Sequence, residues 1–427
     1  MNSDLNQESL NYHSSAPAGK IKIASSKPLD TQHDLSLAYT PGVGKPCKEI
    51  EANPEDIWKY TNRGNTVAII SDGTAVLGLG NIGPEAGLPV MEGKAILFKK
   101  FADVDAYPLC IRTTDPMIAI EALEPCLGGI NLEDIKAPEC FELQKKLDAK
   151  MKIPVFHDDQ DGTAVIIVAG LLNALELTGR KMETAKILIN GAGAAGISCA
   201  RLLNSFGVSK PQIFMVDTRG LITKERTDLN QYKEAFAQDG SSMPLEEAIK
   251  GIDVFIGVSA PDVLKADMVK SMAKDPIIFA ASNPVPEIMP DIAAEAGAKI
   301  VATGRSDFPN QVNNVLGFPG IFRGTLDTRS STINSEMKIA AAKALASLAK
   351  EEPKDFVLEI LQKAYQGESF KLSENYIIPK PFDLRIVPRV ARQVAEAAMQ
   401  SGVAQVTIKD LDAYESEVFE RIFQNWK

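Results

Sequence analysis

Histidine and cysteine are scarce in this chain of 427 residues, and the scarcity removes whole classes of chemistry. Only His13, His33 and His157 occur, too few for a His-rich metal centre and a short stock for any Ser-His-Asp triad. The five cysteines (Cys47, Cys110, Cys126, Cys140, Cys199) form no Cys-x-x-Cys pair. A disulfide framework and a thiolate zinc site are therefore not expected. Basic charge is in deficit, with 46 Lys and Arg against 56 Asp and Glu, a net charge of −10. Nucleic acid as the main partner would need the opposite balance. No apolar run reaches the ~18 residues of a bilayer span, and the polar stretch Met1 to Lys20 lacks the apolar core of a signal peptide. These absences together describe a cytoplasmic protein with neither nucleic acid nor membrane as partner. No internal repeat appears, which excludes solenoids and propellers.

What is present is an ordinary cored composition, 45% hydrophobic and 24% charged, at a length that implies two large domains or three smaller ones. Residues 1–40 read as an irregular arm. Strand-like runs follow at Thr66 to Ser71, Ala106 to Arg112 and Met151 to Phe156, then an apolar helix from Thr163 to Thr178 closed by Gly179. A second series begins at Lys186 to Asn190, with further strands at Gln212 to Asp217, Ile252 to Ile256, Pro276 to Ala280 and Lys299 to Ala302. Strands alternating with helices imply a parallel sheet with right-handed crossovers. The end of the chain is helical, at Asn334 to Lys350 and Pro388 to Gln400. The expected fold is α/β in two domains, residues 1–158 and 159–427. The second is a Rossmann-type doubly wound domain carrying the C-terminal helices, whose packing partner the sequence leaves open.

Gly-x-Gly-x-x-Gly occurs twice. A phosphate cradle needs a helix starting in the loop, so that free N–H groups and the helix dipole meet the pyrophosphate. At Gly78-Leu-Gly80-Asn-Ile-Gly83 the following Pro84, Gly87 and Pro89 speak against a helix, and a tight turn beside the active site is the better reading. Gly191-Ala-Gly193-Ala-Ala-Gly196 lies between a strand and a helix, with Asp217 at the end of the next strand. Gly191 permits the turn, Gly193 lets the pyrophosphate approach, and Gly196 lets helix and strand pack. Ala194 and Ala195 complete this loop. Asp217 can accept from the adenosine ribose hydroxyls and would repel a 2′-phosphate, while Arg219 offsets that charge. The sequence thus implies NAD or NADP, with a slight lean to NAD.

Two acidic pairs, Glu133-Asp134 and Asp158-Asp159, follow apolar stretches that resemble strand ends. Carboxylates without Cys or His partners suit a hard cation, Mg²⁺ or Mn²⁺. If Glu133 and Asp134 serve one ion, the chain must turn there, because neighbours on a strand face opposite ways. A solvated acidic surface is the plain alternative, and His157 reads as a structural hydrogen-bonding residue.

The ensemble of motifs resembles the malic enzymes. Ala38-Tyr39-Thr-Pro-Gly-Val-Gly44, Ser71-Asp-Gly73, Gly78 to Gly83, Gly93-Lys94-Ala, Leu132-Glu-Asp-Ile, Phe156 to Thr163, Ser282-Asn-Pro284 and Gln311-Val-Asn-Asn-Val run in that order across roughly Leu37 to Gly324. The run Asn-Leu-Glu-Asp-Ile-Lys-Ala-Pro is similar to the short bacterial form; some relatives carry an appended phosphotransacetylase-like domain, which has no counterpart in these residues. The resemblance implies oxidative decarboxylation of L-malate to pyruvate and CO₂ by a homodimer or higher homo-oligomer. It makes the first domain the substrate domain, Tyr39 and Lys94 the catalytic pair, and Asp158 the support of the lysine. Glu133, Asp134 and Asp159 become metal ligands. Thr163 and Asn283 fall at the nicotinamide, and Asn283, Asn313 and Asn314 near the substrate. Larger relatives place a substrate arginine where this chain has Thr74 and Ala75. A lysine at its ordinary pKa of ~10.4 is a poor base, so Lys94 is expected to be lowered by its site or served by a relay. The competing expectations are another two-domain NAD(P)-dependent dehydrogenase without decarboxylation, such as an amino-acid dehydrogenase, and a non-catalytic dinucleotide sensor. The paired acids weigh against the first, and Lys94 with Tyr39 against the second.

Overall fold

The computed structural model describes residues 3–76 and 78–426. Its frame is two parallel sheets. In the first, β1 (Thr66–Ser71), β2 (Asp105–Cys110), β3 (Gly129–Leu132) and β4 (Val155–His157) lie in the order β2-β1-β3-β4, every pairing parallel. All residues of β1, β3 and β4 are buried, as parallel strands covered on both faces require. Register decides the function of this sheet. Leu132 pairs with His157 and Ile70 with Leu132, so Ser71-Asp72, Glu133-Asp134 and Asp158-Asp159 all leave the same sheet edge together.

The second sheet holds β5 (Ile187–Asn190), β6 (Ile213–Asp217), β7 (Gly220–Leu221), β8 (Val254–Gly257), β9 (Ile277–Ala280) and β10 (Ile300–Thr303) in the order β10-β9-β8-β5-β6-β7. Only β7 runs antiparallel. Strand order reverses around β5, and in doubly wound sheets that reversal opens the ligand crevice at the carboxyl ends of the strands. Strand β3 is the apolar stretch before Glu133, and β7, two residues long, had no separate signal in the sequence.

Two expectations are corrected. The arm is partly helical, with Ser3–Ser14 and Gln32–Ala38, the latter opened by a reciprocal Thr31–Asp34 capping box. The first glycine loop does open a helix, Gly83–Ala102, of 20 residues. Pro84 is accommodated because a first-turn residue needs no N–H partner, and the carbonyl of Pro89 is used by Lys20 Nζ at 2.6 Å.

Between the sheets runs Thr163–Leu177, eleven of whose fifteen residues are buried. With the preceding turn it is long and apolar enough to cross a membrane, but most of it is enclosed by the fold. It packs on Ser335–Leu348 and on Ala194–Ser205. The C-terminal helices serve both halves. Phe318–Asp327 lies against Ile386–Gln400 so closely that a β-carbon at Gly324 would sit 2.4 Å from the Ala391 carbonyl oxygen. The same helix also packs on Gly83–Ala102. Leu411–Phe423 carries the chain back to the first unit, where Arg421 Nε meets Asp103 at 2.7 Å and Trp426 packs on Phe101.

Arg323 fixes this junction. It is 1% exposed and donates to Asp327 (Nε, 2.8 Å) and to Asn65 of the first unit (2.6 Å), while Tyr414 Oη donates to Asp327 at 2.7 Å. A buried guanidinium stripped of its carboxylate costs about 3–5 kcal/mol, and a lost hydroxyl donor about 1 kcal/mol. Urea unfolding should therefore show Asp327→Ala destabilised several-fold more than Tyr414→Phe. Equal losses would mean that Asp327 does not hold the Arg323 charge.

Candidate active site

Lys94 is buried because of helical spacing. Met91, Lys94, Ala95 and Phe98 form the i, i+3, i+4, i+7 face that Gly83–Ala102 turns inward. Its ammonium reaches the point where the strand ends converge, donating to Asp158 Oδ2 and lying 2.9 Å from Glu133 Oε1. Phe318 closes the other side, its ring centroid 4.3 Å away. Asn131 Nδ2 donates to Glu133 Oε2 at 2.7 Å. The chain does turn after Glu133: Asp134 has φ +55°, its N–H donates to Asp159 Oδ2 at 2.8 Å, and its carbonyl accepts from Ala75 N at 2.9 Å. Thr74 Oγ1 accepts from Lys136 N at 3.0 Å. Where larger relatives place an arginine, this chain therefore uses Thr74 and Ala75 to brace the acidic turn.

The electrostatics follow from burial. Burial alone would lower Lys94, but Asp158 and Glu133 outweigh it and hold the ammonium above the ordinary lysine value. This corrects the expectation that the site lowers it. Burial pushes Asp158 up to about 7 against the pull of Lys94, and pushes Glu133 up by the same cause. Burial also drives His157 down to about 4, so it is neutral near pH 7. Glu133, Asp134 and Asp158 are buried, while the Asp159 side chain stays 36% exposed, 3.8 Å from His157. Three acids, Glu133, Asp158 and Asp159, thus act on one buried lysine with Asp134 beside them, a donor set short of positive charge and made of hard oxygen, which a divalent cation fits. Among the described residues, no three His, Cys, Asp or Glu side chains already form a cage; Glu133 is turned to Lys94 and Asp159 to the Asp134 N–H.

The second sheet faces this cluster across a cleft. A β-carbon at Gly78 would lie 2.8 Å from the Asn283 carbonyl oxygen, and one at Gly304 would lie 2.8 Å from Asn283 Oδ1. The first glycine loop is therefore a close-approach turn lining the cleft. The backbone of Gly162 likewise meets Asn314, 3.5 Å from its virtual β-carbon. Asp158–Gly162 forms a wide π-type turn that runs straight into the helix at Thr163. Glu287, fully buried, accepts from Ser259 N (2.8 Å) and Ser282 N (3.1 Å), tying the loops after β8 and β9. No sequence motif announced it.

At the glycine loop, Gly191 has φ +118° and a β-carbon there would strike the Val258 carbonyl oxygen at 2.5 Å. One at Gly196 would strike the Gly191 oxygen at 1.8 Å. Around Gly193 nothing lies within 4 Å, and the helix Ala194–Ser205 begins there with no side-chain cap. Open space before uncapped N–H groups is what a pyrophosphate needs.

Three site residues stand differently from expectation. Tyr39 is 70% exposed and shares none of the contacts that gather Lys94. Asn313 is a helix cap, its Oδ1 accepting from Val315 N at 3.0 Å, so its side chain is committed to structure. Asp217 is saturated. Arg226 holds both its oxygens (2.8 and 3.0 Å), Lys233 donates to Oδ2 (2.7 Å) and Arg219 N to Oδ1 (3.0 Å). Burial opposes ionisation, but these donors hold Asp217 down at about 2. Arg219 itself pairs with Asp228 at 3.0 Å. Arg226 and Lys233, nine and sixteen residues beyond Asp217, were not legible as its partners.

A parallel acid-and-lysine half joined to a doubly wound half with an open glycine loop defines a two-domain α/β protein with a dinucleotide-binding unit. Residues 18–116 match the malic enzyme N-terminal domain and residues 160–364 the malic enzyme NAD binding domain. The chain is 54% identical to the NADP-dependent malic enzyme of Rhizobium meliloti over 99% of its own length and 56% of that protein's. It is 52% identical to the bifunctional malic/malolactic enzyme of Bacillus subtilis, covering 95% of each. The crystal structure of the Pyrococcus horikoshii malic enzyme superposes with a TM-score of 0.89 at 42% identity, over 99% of this chain and 96% of that one. The chain belongs to the malic enzyme family. It spans about half the length of several curated relatives that it matches.

Two substitutions separate the loop from the cap. Gly193→Val fills the space in front of the helix and should abolish dinucleotide binding, read by fluorescence of the reduced cofactor, with the melting temperature kept. Asn313→Ala should cost about 1 kcal/mol of stability with cofactor affinity unchanged. A loss of cofactor binding in Asn313→Ala alone would reverse this assignment.

Proposed function

We propose that the protein catalyses oxidative decarboxylation of L-malate to pyruvate and CO₂, reducing NAD(P)⁺ with the help of Mg²⁺ or Mn²⁺. The observation that carries this reading is Lys94 held between Asp158 and Glu133 at the floor of a cleft whose far wall is the dinucleotide unit. Malate C2 gives its hydride to the nicotinamide while its hydroxyl proton passes to a base. As found, Lys94 is a cation; it becomes a base when it hands its own proton to Asp158 Oδ2, to which it is already hydrogen-bonded. Burial raises Asp158 to about 7, which narrows its gap to the raised Lys94, and the transfer runs uphill from the ammonium as found. The β-keto acid then loses CO₂, leaving an enolate that must be protonated at C3. A divalent cation, when bound, supplies Lewis acidity for the negative charge on the C2 oxygen, and Glu133, Asp134 and Asp159 are the residues that would hold it. Asn283 and Asn314, on the opposite wall, orient substrate and nicotinamide.

Tyr39 is the proposed C3 acid, and it needs a second copy of the chain. The helices Gln32–Ala38 and Gly44–Ala52 bury none of their own residues, and Leu35, Leu37 and Tyr39 are exposed. A homodimer covering this arm would remove the apolar surface from water and complete the site. With malate, Mn²⁺ and NADP⁺, Lys94→Ala should lose at least ~10²-fold in cofactor reduction, and Tyr39→Phe should lose turnover. Co-expression of the two variants should restore part of the activity through mixed dimers with one intact site. Failure of every combination to recover activity would show that Tyr39 does not act across copies.

The same reading settles on NADP⁺ as the better cofactor. Each Asp217 oxygen already has two donors, so the carboxylate has no lone pair left for ribose hydroxyls and its charge is neutralised. Arg219, Arg226 and Lys233 outnumber Asp217 and Asp228 by one charge, which favours a 2′-phosphate. The expected kcat/KM is higher with NADP⁺ than with NAD⁺, and Arg226→Gln should narrow or invert the ratio. A preference for NAD⁺ of about tenfold, ~1.4 kcal/mol, would sink the assignment.

A further inference from the structure

Behind the catalytic turn lies a cavity of about 420 Å³ that the proposed reaction does not use. Its walls are the helix Glu139–Lys150, the Asp158–Gly162 turn, the outer face of Ala194–Ser205 and the segment Ile333 to Lys338. None of the Gly191–Gly196 loop, Asn283 or Asn314 lines it, so it is separate from the cleft. The volume lies within the ~300–1,000 Å³ of small-molecule sites.

Its chemistry is that of an anion site. The Arg201 guanidinium lies 5.1 Å from the Tyr232 ring centroid and 5.6 Å from that of Phe141, both of which line the cavity. Held over two rings, it stays aimed at low entropic cost. Among the described residues neither Arg201 nor Lys145 has a carboxylate within ion-pair distance, although 32 such pairs occur elsewhere. Of the cavity's two acids, Asp161 is ion-paired and Asp148 is bound by a hydroxyl. Asp161 accepts from Lys338 (2.7 Å) and Gln144 (3.0 Å), and Asp148 from Thr332 (2.6 Å). Three cations, Lys145, Arg201 and Lys338, line the cavity against two carboxylates, Asp148 and Asp161, so its net charge is positive. Val155, Leu202 and Ile333 add an apolar wall, which suits an anion with a carbon skeleton rather than a bare inorganic one.

The cavity also touches the catalytic machinery. Asp161 stands on the turn that carries Asp158 and Asp159, and both side chains that anchor it, Lys338 and Gln144, face the cavity. An anion that draws Lys338 away removes one of the two ties on this turn.

We propose that this cavity is a second binding site, for a small organic anion carrying a carboxylate or phosphate group, and that its occupancy slows turnover by releasing Asp161 from Lys338. The slowing rests on the malate reading; the binding does not. Calorimetric titration of the full chain with tricarballylate and with glycerol 3-phosphate separates carboxylate from phosphate recognition. At least one probe should bind saturably, Arg201→Ala should weaken it by about tenfold or more, and Arg201→Lys should keep part of the affinity. Saturating probe should lower kcat/KM for malate several-fold in the wild type and leave Arg201→Ala unaffected. No saturable heat with either probe, or equal binding by wild type and Arg201→Ala, overturns the site. Binding lost in Arg201→Ala with no change of rate in the wild type overturns the coupling. Because calorimetry needs no turnover, a failed malate reading would leave the binding result standing.

Discussion

Everything at the centre of this molecule depends on one buried cation and the register that delivers acids to it. Parallel pairing of Leu132 with His157 brings two acidic dipeptides, 25 residues apart in the chain, off the same sheet edge. Lys94 meets them there because a helix turns its i+3 side chain inward. A charged pair taken out of water survives only when its partners are close and hydrogen-bonded. That requirement explains the supporting contacts around it: Asn131 on Glu133, Phe318 over the ammonium, and the Asp134 N–H on Asp159. A slip of one residue between β3 and β4 would turn these side chains to the other face.

The two halves are joined by continuous chain and by side-chain contacts. The acidic turn continues into the largely buried helix Thr163–Leu177, and the C-terminal helices return to the first unit through Arg323, Asn65 and Arg421. At the cleft itself glycines make the close approaches, Gly78 to the Asn283 carbonyl and Gly162 to the Asn314 side chain. Small residues at those points let the substrate wall and the dinucleotide wall stand within reach of one molecule. Glu287 performs the equivalent service within the second sheet by gathering two loop N–H groups.

The sequence by itself determined the chemistry that local pattern can encode. β-branched runs gave the strands, the loop Gly191–Gly196 between strand and helix gave the dinucleotide site, and the acid pairs after apolar stretches gave a hard-cation donor set. Those features depend on neighbours a few residues apart. Tertiary structure alone decided what depends on partners distant in the chain. Lys94 is raised rather than lowered, because Glu133 and Asp158 lie beside it. Asp217 is a filled acceptor, because Arg226 and Lys233 fold back onto it. The first glycine loop starts a helix despite Pro84, because first-turn positions need no N–H partner, and the helix continues through Pro89 because it buries its inner face. Asn313 caps while Asn314 reaches the cleft, a division between adjacent identical residues that only backbone direction could make.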